Sequence, residues 1–442
     1  MNDYLIAGGI VITLGRNNQV IHDGTVYVKD GLIADVGQAK DLKERYACEV
    51  KVNARNKVIL PGFICAHHHL YSTMARGFAP PGEPARCFGE ILERLWWKLD
   101  RALLEDDVYL SALIPLIECI RNGTTAIIDH HASPSFRDGS LDLIAKAVLE
   151  SGIRASLCYE VSDRNVPAGG LTENERFLKR MDAEKSPFLT GMMGLHASMT
   201  VSDDTLARSR AVAERYGVGY HIHVAEGLED HTDSLMKYGI RTVERLVTRG
   251  ICGKNSLYIH CVNIDEREMD LIKDTGTMVV HNPESNMNNA VGVANVLAMM
   301  AKGILVGLGT DGMASDMPAQ MRCAYLLHRL ENRDPRVAFC EAPQLLLWNN
   351  PAVAARFFPM RLGAIEKGAA ADFAIVDYIP PTTLEAGNFL GHFIFGMVDA
   401  VVDTTIVAGK ILMQNKQILS LDEEEIAARS RKLAAKVWSR IQ

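Results

Sequence analysis

Short apolar runs recur along the middle of the chain, and each ends on a polar side chain suited to metal binding or acid/base chemistry. The runs are VILPGFICAHHH, ending at His67 and His69; TAIIDHH, at Asp129 and His130; ASLCYE, at Glu160; GMMGLH, at His196; YHIHVAE, at His223 and Glu226; LYIHC, at His260; MVVHNP, at His281; and ILVGLGTD, at Asp311. Between them lie stretches of helical periodicity closed by glycine, such as Ser140 to Gly152, Asp204 to Gly217 and Glu266 to Gly276. Continuous apolar strands alternating with amphipathic helices predict a parallel sheet buried on both faces. Eight repeats predict closure into a (β/α)8 TIM barrel, whose C-terminal rim collects functional side chains from several strands. An open doubly wound sheet is the alternative, since periodicity alone does not pair the first strand with the eighth.

The two ends of the chain follow another pattern. Residues 1–57 alternate β-like runs with turns, as in GTVYVKDGLIADVG with its turn at Asp30-Gly31. The tail returns to this style in AADFAIVDY and VDAVVDTTIVAGKILMQNKQIL, before a charged helix from about Asp422. The expected organisation is a small β-sandwich domain formed from both chain termini, residues 1–57 plus 365–442, beside a barrel of residues 58–364. One segment breaks the barrel's rhythm: from Ser72 to about Asp100 a Pro/Gly-rich loop leads into an amphipathic helix. Long loops at this rim are often functional. Arg76, Trp96 or Trp97 could therefore face a substrate, or both tryptophans could simply pack the helix on the barrel. Adjacent positions on a helix face different ways, so one tryptophan at most is expected in the pocket.

Composition narrows the class. With 48% hydrophobic and 23% charged residues the chain is globular in character, and its formal net charge of -7 supplies no basic footprint for nucleic acid. No run approaches the roughly 18 apolar residues of a membrane span, and the N-terminus, with Asp3 and three early glycines, reads poorly as a signal peptide. Nine cysteines with no C-x-x-C pair fit a reduced, cytoplasmic setting, with Cys65, Cys158 and Cys261 as packing residues. The expected partner is a small molecule, not nucleic acid or membrane, and a homodimer is the commonest symmetric assembly.

The strand ends carry a consistent chemistry. In a strand, i and i+2 share a face, so His67 and His69 can both point inward. His223 and Glu226 place an imidazole and a carboxylate where the fifth strand runs out, and Asp311 ends the eighth. His67, His69, His223 and Asp311 with water satisfy a single divalent ion that keeps an open position. Their N/O donor set suits zinc or iron. His221, one layer deeper than His223, reads as a hydrogen-bonded interior residue. Gly307 to Gly312 spells G-x-G-x-x-G, but helical segments follow it without the second strand and acidic residue of a dinucleotide site.

The segments PGFICAHHHL, HIHVAE, LYIHCVN, VVHNPESN, GLGTDG and GAIEKGAAADFAIVDY, in this order, resemble the metal-dependent amidohydrolase superfamily in its aminohydrolase and chlorohydrolase branch. The similarity covers nearly the whole chain. It implies a barrel with a β-sandwich from both chain ends and one zinc or iron ion held by His67, His69, His223 and Asp311. It further implies Glu226 as proton shuttle, His260 as the residue polarising the attacking water, and His196 in contact with substrate. It places His281, Asn282 and Ser285 in a turn near the substrate. Binuclear relatives carry a carboxylated lysine at the end of the fourth strand; here that strand ends in His196 and Lys185 precedes it, which favours one metal.

The expected reaction is addition of metal-activated water to a C=N carbon of an amino-substituted, purine-like heterocycle. Asp311 or His260 would handle the water proton, and Glu226 would protonate the ring nitrogen and then the departing amine. Loss of halide or opening of a cyclic amide is the nearest rival. An inactive barrel serving as a binding subunit is the reading from a different class. Asp129, His130 and Glu160 have no role assigned by the sequence.

Overall fold

The computed structural model describes residues 3–441 of the 442-residue chain. Eight parallel strands form the barrel: Phe63–His68, Thr124–His131, Arg154–Tyr159, Met193–Ala197, Tyr220–Val224, Leu257–His260, Met278–His281 and Val306–Leu308. Every residue of these strands is buried, as expected for strands covered by side-chain layers inside and helices outside. They pair as two arcs, one ending at a short extra strand Leu189–Gly191 that precedes the fourth barrel strand. The arcs meet at a parallel bridge between Val161 and Leu195 and again between His68 and Asp311. At the second seam the Thr310 and Asp311 amides both donate to the His67 carbonyl, so closure of the barrel brings the first and eighth strand ends together.

The outer helices stop where the sequence says they must. Ser140–Ser151, Asp203–Tyr216 and Glu266–Thr275 are each followed by a glycine of positive φ, Gly152, Gly217 and Gly276, that closes the last turn. Inside the barrel Ile128, Cys158, Met192, Leu257, Ile259, Met278 and Val280 fill the floor. The polar strand ends therefore stand on an apolar base.

Both chain ends build a single nine-stranded sheet. Strands Val20–Lys29 and Leu32–Gln38 form a hairpin whose two-residue turn, Asp30 at φ 52° and Gly31 at φ 79°, has the left-handed geometry that matches strand twist. The sheet curls over its own apolar core of Ile6, Val26, Ile33, Ile59, Phe373 and Ile406. Two expected boundaries shift. Strand Val58–Pro61 belongs to this sheet, parallel to Tyr4–Ile12 and antiparallel to Phe373–Val376, so the barrel begins only at Phe63. VILPGFIC reads as one run because both of its strands are fully buried, and hydrophobicity does not mark the kink at Pro61-Gly62. The terminal helix Glu423–Arg440 leaves the sheet and packs on the barrel helices Trp97–Ala102 and Glu105–Arg121. There Trp438 donates to the Met74 carbonyl (2.7 Å) and Arg440 to that of Ala102 (2.8 Å). Among the described residues no helix is long and apolar enough to cross a membrane.

Candidate metal centre and active site

The C-terminal rim surrounds a pocket of about 800 Å³ including its open mouth. At its base His67, His69, His223 and Asp311 converge, with their donor atoms all within 4.8 Å of one another. His69 Nε2 lies 3.1 Å from His223 Nε2 and 3.2 Å from Asp311 Oδ1, which is 3.5 Å from His67 Nε2. Ligands at about 2.0–2.1 Å from a tetrahedral ion stand about 3.3 Å from one another, so these spacings fit a cation between them.

The other ring nitrogens explain the aim. His69 Nδ1 donates to the His130 carbonyl (2.6 Å) and His223 Nδ1 to the His196 carbonyl (2.8 Å), while His67 Nδ1 lies 2.8 Å from His221 Nε2. Outer hydrogen bonds of this kind fix tautomer and ring orientation in metal sites. They turn the Nε2 atoms of His69 and His223 toward each other and that of His69 toward Asp311. His67 Nε2, fully buried, has no hydrogen-bond partner. The donor set thus fits a divalent ion on the structure's own evidence. His221 occupies the interior position expected of it, tethered to His67.

Charge follows the same geometry. Burial holds the His67 and His223 imidazoles well below their usual pKa and therefore neutral. Burial acts on His69 too, but the Asp311 carboxylate overrides it and lifts His69 to about 9. A divalent cation held by these residues would take the place of that proton. Burial opposes ionisation of Asp311, yet His67 and His69 hold its carboxyl well below the usual range. Ser285 donates to its second oxygen at 2.5 Å.

Glu226 stands one step above the cluster. Its Oε2 is 3.2 Å from His260 Nε2, and its Oε1 accepts from Asn289 Nδ2 at 3.1 Å. Burial pushes the Glu226 carboxyl up to about 7, with His260 opposing and Asp311 adding to the rise. A group poised there can both accept and donate a proton near neutral pH. His260 Nε2 also lies 3.7 Å from Asp311 Oδ2, and its Nδ1 is held by Asn286 Oδ1 at 2.7 Å. Ala225, His260 and Asp311 take positive φ, at 48°, 73° and 53°.

The family pattern described as Amidohydrolase family matches residues 58–412. The chain belongs to the amidohydrolase family. This amidohydrolase is 32% identical to a 5'-deoxyadenosine deaminase of Methanosarcina mazei and 30% identical to a 5-methylthioadenosine/S-adenosylhomocysteine deaminase of Pelotomaculum thermopropionicum, each aligned over the full length of both chains. Its fold matches the crystal structure of an adenosine deaminase from Xanthomonas campestris with bound zinc (TM-score 0.87, 23% identity, 99% of each chain). It also matches atrazine chlorohydrolase from Arthrobacter aurescens TC1 complexed with zinc (TM-score 0.83, 22% identity, 98% of this chain and 100% of the other).

Not every residue singled out in the sequence reaches the amidohydrolase pocket. His196 and Ser285 line it, and so do both Trp96 and Trp97, where one at most was expected. The roof runs from helix Phe88–Ile91 into a π-helical turn Leu92–Trp96, and its stripe Phe88, Leu92, Trp96 faces inward with Trp97 beside it. Arg76 is outside: its guanidinium pairs with Glu118 on the helix behind (Nη2 to Oε2, 2.8 Å). His281 is outside too, because Val280 takes the inward position of the seventh strand and the His281 ring packs against His328, centroids 5.0 Å apart. Lys185 ends a helix and is exposed beside Asp182, away from the rim. Asp129 Oδ1 accepts the Leu70 amide (2.8 Å), shaping the turn after His69. The His130 carbonyl orients His69, and Glu160 lines the pocket. Asp100, Asn289 and the roof residues Phe88 and Leu92 also line it, and none was singled out in the sequence; only the i, i+4, i+8 spacing of Phe88, Leu92 and Trp96 signalled them.

Proposed function

We propose that the protein is an aminohydrolase that removes the exocyclic amino group of a purine-like heterocycle by hydrolysis, releasing ammonia. The observation that carries this reading is the Glu226–His260–Asp311 arrangement beside the three-histidine cluster, in a pocket roofed by indoles. Full-length similarity to deaminases at 30–32% identity supports it. When bound, a divalent ion acts as a Lewis acid and makes hydroxide available near neutral pH; His67, His69, His223 and Asp311 would hold it, and zinc is the ion proposed.

The chain's own groups do the rest. His260 and Asp311 hold the attacking water by its protons, with Ser285 fixing the Asp311 carboxylate. Glu226, near the pH of half-ionisation, takes a water proton and delivers it to the ring nitrogen as the new C–O bond forms. A second transfer through Glu226 protonates the amine, the C–N bond breaks, and ammonia leaves as a neutral molecule while the ring keeps the oxygen as a carbonyl. Trp96 and Trp97 offer flat apolar surfaces to a heterocycle, and His196 stands at the wall.

The test is a panel of 5'-deoxyadenosine, 5'-methylthioadenosine, other aminopurines and chlorinated triazines, assayed with zinc-loaded protein. Ammonia from an aminopurine, with the carbonyl product seen by ultraviolet absorbance, is the expected outcome. Halide from a chlorotriazine with no ammonia from any amine would overturn it.

A further inference from the structure

One wall of the pocket carries charge that the proposed reaction does not use. Glu160, at the end of the third strand, and Asp100, at the base of the roof, both line the cavity and are both buried. Arg164 stands behind them. Its Nη2 donates to Glu160, its Nη1 to Asp100 Oδ2 (3.2 Å) and its Nε to Ser162 Oγ (3.0 Å), while the guanidinium lies 5.1 Å from the Trp97 ring centre. All three nitrogens are thus engaged, and two carboxylates face one guanidinium. Among the described residues, no lysine or arginine lines the pocket. The nearest imidazoles, His130 and His196, lie 3.7 Å from Glu160 oxygens, beyond hydrogen-bond range, so neither pairs with that carboxylate. Burial pushes the Glu160 carboxyl up to about 7 and raises that of Asp100, with Arg164 opposing both, so above neutral pH a negatively charged substituent at this wall meets carboxylates whose one guanidinium is already engaged.

Resting on the aminohydrolase reading for the reaction but not for the binding, we infer that the Glu160–Arg164–Asp100 group is a charge filter: the pocket admits uncharged and cationic amino-heterocycles and turns away those bearing a phosphate or carboxylate. Specificity of this kind comes from a repulsive element aimed at the wrong ligand, not from an added attraction to the right one. The filter is also convertible, because Arg164 is already in place. Neutralising one carboxylate brings the wall to charge balance, and neutralising both leaves an unpaired guanidinium beside the substrate.

Three compounds that differ at one position test this: 5'-deoxyadenosine, its cationic 5'-amino analogue and adenosine 5'-phosphate. Each is measured for ammonia release and, separately, for binding by calorimetry. In the wild-type protein the phosphate is expected to fall about 100-fold or more below the other two, as one like-charge contact a few ångströms away at an effective dielectric of about 20 implies. Asp100→Asn and Glu160→Gln should each narrow that gap at least tenfold, and the double variant should reverse it. Equal binding of the three compounds to the wild type, or a gap that no variant changes, overturns the filter. If none of the compounds releases ammonia while binding still follows charge, the deaminase reading fails and the filter stands. Should Asp100→Asn fold poorly, as shown by its thermal unfolding, Glu160→Gln alone carries the comparison.

Discussion

At the scale of single residues, position in the strand decides chemistry. His67 and His69 share the inner face of the first strand by the two-residue repeat, but His68 between them is turned outward to Ser315 (2.8 Å) and does not join them. The same alternation places Val280 inward and sends His281 to the helix side. Glu226 differs from the His67–His69–His223–Asp311 cluster in having one oxygen on Asn289 and the other near His260, and in a carboxyl raised to about 7 by burial. Replacing it with glutamine keeps size and the Asn289 contact but removes the proton carrier. Glu226→Gln is expected to retain stoichiometric metal by elemental analysis while kcat falls about 10²–10⁴-fold, the usual worth of a positioned acid/base. Near-normal kcat would refute the assigned role.

At the scale of elements, the roof is joined to the loop that carries Glu226. Glu229, three residues beyond Glu226, accepts the Gly89 amide at 3.0 Å, and Phe88 packs so closely on Gly227 that a Cβ there would meet its ring at 2.7 Å. Residues 79–87, by contrast, are exposed along their whole length. The roof is thus tied to the Glu226 side by this contact and at its other end by its unbroken run into the buried helix Trp97–Ala102. Glu229→Gln keeps an acceptor but loses the charge that strengthens the bond. It should raise KM severalfold with little change in kcat, whereas an equal loss in kcat would show that the contact also positions Glu226. Steady-state kinetics on one substrate separates the two. The amphipathic roof helix was evident from its sequence, but the π-helical turn that brings both Trp96 and Trp97 to the cavity was not, because a one-residue change of helical register leaves no mark in a hydrophobic pattern.

At the scale of the molecule, barrel and terminal sheet are tied through the interior. Arg154, at the start of the third barrel strand, donates through Nε and Nη2 to both oxygens of Asp372 (2.9 and 3.2 Å), and Asp372 also accepts the Ala408 amide at 2.7 Å. Arg154 and Asp372 are almost fully buried. Removing one partner of such a pair strands the other charge and costs about 3–5 kcal/mol. Asp372→Ala should therefore lower the thermal unfolding midpoint markedly, and the double replacement Arg154→Met with Asp372→Leu should recover much of the loss. A single variant as stable as the parent would show that the two units do not depend on this tie.

Apolar strands and amphipathic helices, repeated eight times, determined the barrel and where its functional rim lies, because burial on both faces and the two-residue repeat are local properties. They also determined His67, His69, His223, Glu226, His260 and Asp311 as candidates, because strand ends fix which side chains reach that rim. Neither property reaches across the chain. That Val58–Pro61 pairs with Phe373–Val376, that Glu423–Arg440 rests on the barrel, that Arg76 turns to Glu118, and that Asp100, Glu160 and Arg164 meet at one wall were decided only by tertiary structure. Most of those contacts join residues far apart in the chain, and nothing in the sequence around one partner names the other.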